Sequence, residues 1–235
     1  MHVVFRLSGR PVRLFRDHGD SNGTTLGFAV ACGARASYYV KEISDPICTV
    51  GAVLAPGACL PLFGAPAGEL SGHHTSLDYL WVGEADSART RLLDERNPSR
   101  RLDLLERMLA ERLRGIRALH PAVAMALERF QAAAAIREVV SESGYSHRRF
   151  IELFHESVGL TPKLHCRVRR FVKALSRLGQ EPQASLSGLA IAAGYSGQAH
   201  FSREFLEFAG VTPGEYRGIA PLYPHHVRLL QPPAG

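Results

Sequence analysis

GYSHRRFIELFHESVGLTP (144–162) returns as GYSGQAHFSREFLEFAGVTP (194–213), and this internal repeat decides how the chain is read. Gly144-Tyr145-Ser146 recurs fifty positions later as Gly194-Tyr195-Ser196. Phe150, Phe154, Gly159, Thr161 and Pro162 recur fifty-one positions later as Phe201, Phe205, Gly210, Thr212 and Pro213, so one residue is inserted between the landmarks. Upstream, Ile136 and Val139 match Leu186 and Leu189, and each copy reads as a short helix, a glycine turn, a second helix and another turn. The glycine at 144 and 194 falls where two short helices meet steeply, a turn that asks for the positive φ only glycine adopts freely. The serine two positions on is placed to cap the next helix. Phenylalanines four apart share a helical face and plug it against the first helix, leaving the opposite face open to a partner. The Gly-Leu-Thr-Pro and Gly-Val-Thr-Pro endings stop one helix and start another at once, with threonine as N-cap and proline in the first turn. Glu215, three after Thr212, completes a capping box in the second copy, whereas Leu164 takes that place in the first.

Between the copies, Lys163 to about Leu178 predicts a helix with an apolar stripe of Leu164, Val168, Phe171, Leu175 and Leu178. Its other faces carry Lys163, Arg167, Arg169, Arg170, Lys173 and Arg177 and no acidic residue. Such a rod spans about 24 Å. With the width of each unit added, that approaches the ~34 Å between successive major-groove faces of a duplex. Toward the N-terminus the pattern changes to short strands, with HVVFRL, VRLF, LGFAVA, SYYVKEI and ICTVGAVL as candidates and a tight turn at Pro56-Gly57. Asn97-Pro98 then opens a helix striped by Leu102, Leu105, Leu109 and Leu113, and His120-Pro121 repeats that start signal. The fold class expected is α+β in two domains: a β domain with a C-terminal helix over 1–117, an all-α domain over 118–220, and a tail over 221–235.

At 235 residues with 46% apolar content the chain can fill a real core. No stretch has the length of a signal peptide or a membrane span, which places the expected protein in the cytoplasm, away from membranes. Cys32, Cys48, Cys59 and Cys166 stand singly, without the paired spacing of a zinc site, and read as reduced thiols. A net charge of +6 suits a polyanionic partner, though as long-range field only. No cofactor is expected.

These features together resemble one family. The segments GYSHRRFIELFHESVGLTP, RRFVKALSRL and SLSGLAIAAGYSGQAHFSREFLEFAGVTPGEYR are similar to the C-terminal DNA-binding domain of the AraC/XylS bacterial regulators, from about His120 to Arg217. Val140 departs from the small alanine usual there, which Ala190 keeps in the second copy. The resemblance implies two helix-turn-helix units gripping double-stranded DNA. Helical spacing then puts His147, Arg148, Ile151, Glu152 and His155 on the open face of the first unit, and Gln198, Ala199, Ser202 and Arg203 on that of the second. Arginine and glutamine read guanine and adenine edges bidentately, which favours Arg148, Gln198 and Arg203 as base readers. Arg149, Lys163, Arg167, Arg169, Arg170 and Lys173 are expected on phosphates, where they set register and salt dependence. Glu152 is the awkward member, since a carboxylate near phosphate needs cytosine N4 or a neighbouring arginine.

The N-terminal half resembles the cupin-like sensor domains of the same family through TVGAVLAPGACLPLFGAPAGEL, LDYLW and RRLDLLERMLAERL. Because the chain starts almost directly at a strand, the usual beginning of that domain is expected to be absent. Tyr38, Tyr39 and Trp81 are candidates for lining an effector pocket for a small molecule, with core packing as the alternative. His73-His74 lacks the spaced ligand set of a metal cupin, so no metal is expected. The helix after Asn97 fits either its own core or the seam of a homodimer, and RNA polymerase is a partner if the regulator activates. The chain is expected not to be an enzyme. Two rivals stand beside the regulator: a DNA-associated enzyme with a catalytic N-terminal half, for which no nucleophile–base or phosphate-loop motif is found, and a helical protein-interaction module.

Overall fold

The structure, a computed structural model, describes residues 1–17, 19–42, 48–114, 119–181 and 183–219. In chain order the strands are β1 (His2–Arg6), β2 (Val12–Phe15), β3 (Thr24–Gly27), β4 (Ala29–Cys32), β5 (Val40–Lys41), β6 (Thr49–Val53) and β7 (His74–Ser76). The helices are α1 (Cys59–Phe63), α2 (Leu77–Leu80), α3 (Ala85–Asp94), α4 (Pro98–Arg112), α5 (Pro121–Gln131), α6 (Ile136–Glu142), α7 (His147–Val158), α8 (Pro162–Gln180), α9 (Leu186–Ala193), α10 (Gln198–Ala209) and α11 (Pro213–Ile219). The fold is α+β, as expected, with all strands but β7 preceding the helices. Most candidate strands form, although LGFAVA divides between β3 and β4 and SYYVKEI contributes only two residues to β5. Strand β7 and helices α1 and α2 are too short to carry a periodic signal, and α3, with Ala85, Ala88 and Leu92 buried at helical spacing, was not anticipated.

The strands make two antiparallel sheets, ordered β6-β1-β4-β7 and β3-β2-β5. Side chains alternate across a strand, so the larger sheet has two apolar faces. Val3, Phe5, Ala29, Ala31 and Val50 pack beneath helices with Leu62, Trp81 and Leu92. Val30 and Cys32 turn the other way and join Val12, Leu14 and Leu26. That double covering explains why all four residues of β4 are buried.

Asn97 caps α4 as the sequence predicts, its side chain accepting from the Arg100 N–H with Pro98 in the first turn. The buried stripe differs: Leu105, Met108 and Leu109 enter the core, while Leu102 is 56% exposed and Leu113 37%. Of the four leucines proposed for the stripe, Leu105 and Leu109 serve their own domain and Leu102 and Leu113 stay outward.

The chain divides into two compact units, one of Met1–Arg35 with Tyr39–Pro162, the other of Ala36–Tyr38 with the chain from Lys163 onward. The first therefore includes α5 to α7 together with the sheets. The boundary expected near 117 and the tail over 221–235 lie outside the described residues.

Candidate nucleic-acid interface

The first repeat is built on α5, α6 and α7. His120 caps α5, its Nδ1 accepting from the Ala122 N–H at 3.2 Å, with Pro121 in the first turn. Between α6 and α7 the chain turns at Gly144, whose φ is +70°. Ser146 then caps α7 by accepting from the Arg149 N–H at 3.3 Å. Phe150, Phe154 and Val139 are fully buried, and Phe130 meets Phe154 edge-on at 5.7 Å. The aromatic plug leaves His147, Arg148 and Arg149 exposed and Ile151 and Glu152 half-buried. Glu152 accepts from Arg148 Nε at 3.0 Å and pairs with Arg149 at 3.5 Å, and Arg148 above all holds its carboxyl below the usual range. The acid that looked awkward beside DNA is thus neutralised within its own helix. Because the Arg148 side chain is 92% exposed, the pair is weak and can open to a stronger acceptor.

The far end of α7 is held by the N-terminal half of its own unit. Its late carbonyls have no intrahelical donor, and two accept from loops there: Glu156 from the Ala67 N–H at 2.8 Å and Ser157 from the Gly57 N–H at 3.0 Å. Gly159 ends the helix at φ +83°, where an added Cβ would meet Ala34 Cβ at 2.9 Å and the Ala67 carbonyl at 3.0 Å. Gly144 shares the left-handed conformation but has open space around it. Replacing glycine by alanine at either site costs about 1–2 kcal/mol for the conformation alone. Gly159→Ala must add the clash, so its melting temperature is expected to fall clearly further than that of Gly144→Ala in thermal denaturation.

In the second unit Gly194 turns the chain at φ +90° and Phe201 and Phe205 are fully buried. Ala190 is fully buried where Val140 of the first unit is only half-buried, as the larger side chain requires. The Thr212 capping box forms with both bonds, at 2.6 and 3.2 Å. Ser196 does not cap α10, contrary to expectation; its hydroxyl lies 3.0 Å from His200 Nδ1. The inserted Gly197 stands between it and the helix and takes the N-cap position. Gln198, Ala199 and Arg203 are exposed on α10 and Ser202 is half-buried.

The phosphate candidates divide. Lys163 and Lys173 are exposed and Arg169 half-buried. Arg167 and Arg170 are engaged otherwise than expected: both hold Glu204, a 3%-exposed carboxylate on α10, at 2.8 and 3.0 Å, and Arg167 also reaches Glu207 at 2.5 Å. A buried carboxylate is costly unless charge-paired, which draws both guanidiniums inward. Sequence reasoning missed Glu204; its position three after core Phe201, on the buried side of α10, was the available signal.

The three aromatics expected around an effector have separate surroundings. Trp81 is a core residue, 3% exposed, its Nε1 donating to the Leu62 carbonyl at 2.6 Å with Phe5 and Phe63 beside it. Tyr38 lies over Gly210 within the second unit. Tyr39 meets His74 edge-on at 4.4 Å, with the Arg35 guanidinium 4.8 Å from its ring. Indole size favours the core for the tryptophan. Burial first, and then the Arg35 charge 3.0 Å away, push the His74 imidazole down to about 4. Its unfolded value is about 6.5, so between those values the unfolded chain binds the extra proton. Stability of this unit is expected to fall as pH drops from about 6.5 to about 4, and His74→Gln to flatten that slope in pH-resolved denaturation. Among the described residues no group of histidine, cysteine and carboxylate side chains is placed to hold a metal.

Comparison with known proteins agrees with this geometry. Residues 139–219 match the family model described as a helix-turn-helix domain. A probable transcription factor of Proteus vulgaris, PqrA, is 33% identical over 82 residues, 35% of this chain and 66% of that protein, so the chain spans just under two thirds of that relative's length. Structures of ToxT from Vibrio cholerae align over 92% of this chain and 89% of theirs at 11% identity with a TM-score of 0.49. For ToxT of strain O395 the values are 92%, 88%, 12% and 0.48. That likeness is too distant to bear on function. The tandem glycine turns, aromatic plugs and Thr-Pro restarts lie inside the matched segment, so this part of the chain is similar to the helix-turn-helix domains of AraC/XylS-type transcription regulators.

Proposed function

We propose that the chain is a sequence-specific regulator that reads the major groove through α7 and α10. The observation that carries this is the sidedness of α10. One side is sealed by Phe201 and Phe205, and the other offers Ala199 and Arg203 to solvent, with Gln198 exposed at the start of the helix. Arg148 and His147 make the corresponding surface on α7, with Glu152 as its internal counter-charge. Lys163, Arg169, Lys173 and Arg149 supply phosphate contacts, and Arg167 and Arg170 are assigned to the fold instead. The DNA-binding part corresponds to 118–220, and the N-terminal half is a cupin-like regulatory domain through which an effector or dimerisation acts. Working on bacterial DNA, the protein operates in the cytoplasm; no helix among the described residues is long and apolar enough to cross a membrane. RNA polymerase becomes a partner where the regulator activates.

Selection of bound sites from random duplexes, followed by titration at several salt concentrations, tests the proposal. An enriched motif with two half-sites near one helical turn apart is expected. Binding that is equally tight on all sequences would overturn it, and binding to none would favour a protein-interaction module.

A further inference from the structure

We infer that Glu204 is a positioning residue: a buried latch that fixes the rotation of α10 on α8 and withholds two arginines from phosphate. This rests on the DNA reading above. The carboxylate is almost wholly buried and accepts from Arg167 Nε at 2.8 Å and from Arg170 Nη2 at 3.0 and 3.1 Å. Arg167 and Arg170 are three apart and so share one face of α8. Two guanidiniums from one helix gripping a single carboxylate on the other define both the turn of α10 about its axis and its height along α8, which apolar packing alone leaves loose. At about 100° per residue, Glu204 lies roughly 140–160° around α10 from Ala199 and Ser202, so a slip at the latch re-aims the reading face.

The surroundings fit a permanent structure rather than an exposed pair. Arg170 stacks over the Tyr195 ring at 4.5 Å and Arg167 over Phe208 at 4.9 Å. Burial opposes the charge on Glu204, yet Arg167, Tyr195 and Arg170 hold its carboxyl below the usual range. Glu207, exposed on the next turn, is a second acceptor for Arg167 alone.

That asymmetry sets the test. The full chain and its variants are titrated with the selected site and with random duplex across salt concentrations, folding being checked by thermal denaturation. Glu204→Gln frees Arg170 but leaves Arg167 on Glu207. The preference for the selected site is expected to drop by about tenfold or more. On random DNA the salt slope is expected to steepen by about 0.9, the value of one phosphate contact. Adding Glu207→Gln frees the second arginine and is expected to steepen the slope by about as much again. Arg170→Gln loosens the latch without freeing a cation, so it is expected to lose preference with the random-DNA slope unchanged; it decides the matter if Glu204→Gln does not fold. A folded Glu204→Gln protein that keeps both preference and slope, or weakens on both DNAs in parallel, overturns the latch. A wild-type protein that shows no preference overturns the DNA reading itself, a separate result.

Discussion

Phe205→Ala is expected to cost the second helix-turn-helix unit about 3–5 kcal/mol, the range for emptying a large buried aromatic site. Phe205 has no exposed surface, and its ring meets Phe171 at 5.2 Å, Phe201 at 5.5 Å and Tyr216 at 5.6 Å, so α8, α10 and α11 all rest on it. Truncation leaves a hole between elements that cannot all move inward together. Leu206, next in the chain but 49% exposed, is the control, and alanine there is expected to change stability by no more than about 0.5 kcal/mol. Denaturant unfolding followed by circular dichroism separates the two. If both variants lost the same amount, the aromatic plug would not be what organises this unit.

Arg203→Ala is expected to remove about 1–3 kcal/mol of discrimination between the selected site and random DNA while leaving stability unchanged. Its side chain is exposed on α10 and makes no ion pair among the described residues, so nothing in the fold depends on it. Arg169→Ala is expected to weaken binding to all sequences alike and to reduce the salt slope by about 0.9. Equal effects of the two substitutions on both DNAs would count against assigning one to bases and the other to phosphate.

Most of the second half was legible because its signals are local. The turns at Gly144 and Gly194, the phenylalanine pairs, the Thr212–Glu215 box and the caps at Asn97, His120 and Ser146 each lie within four residues, where helical geometry alone dictates who meets whom. Ser196 shows how narrow that legibility is, since one inserted residue was enough to move the helix start. The N-terminal half was harder: its strands could be found, but β7, at three residues, is too short to carry a period.

By itself, then, the order of residues determined the two helical repeats, their buried faces and the residues left outward on α7 and α10. Only tertiary structure decided that Glu204 is buried, that Arg167 and Arg170 serve it, that Trp81 belongs to the core, and that the end of α7 is bonded to loops at Gly57 and Ala67. The physical reason is sequence distance: the Glu204 partners lie 37 and 34 residues away. A charge on a helix face looks the same in sequence whether water or a buried carboxylate meets it, and only the folded chain makes that choice.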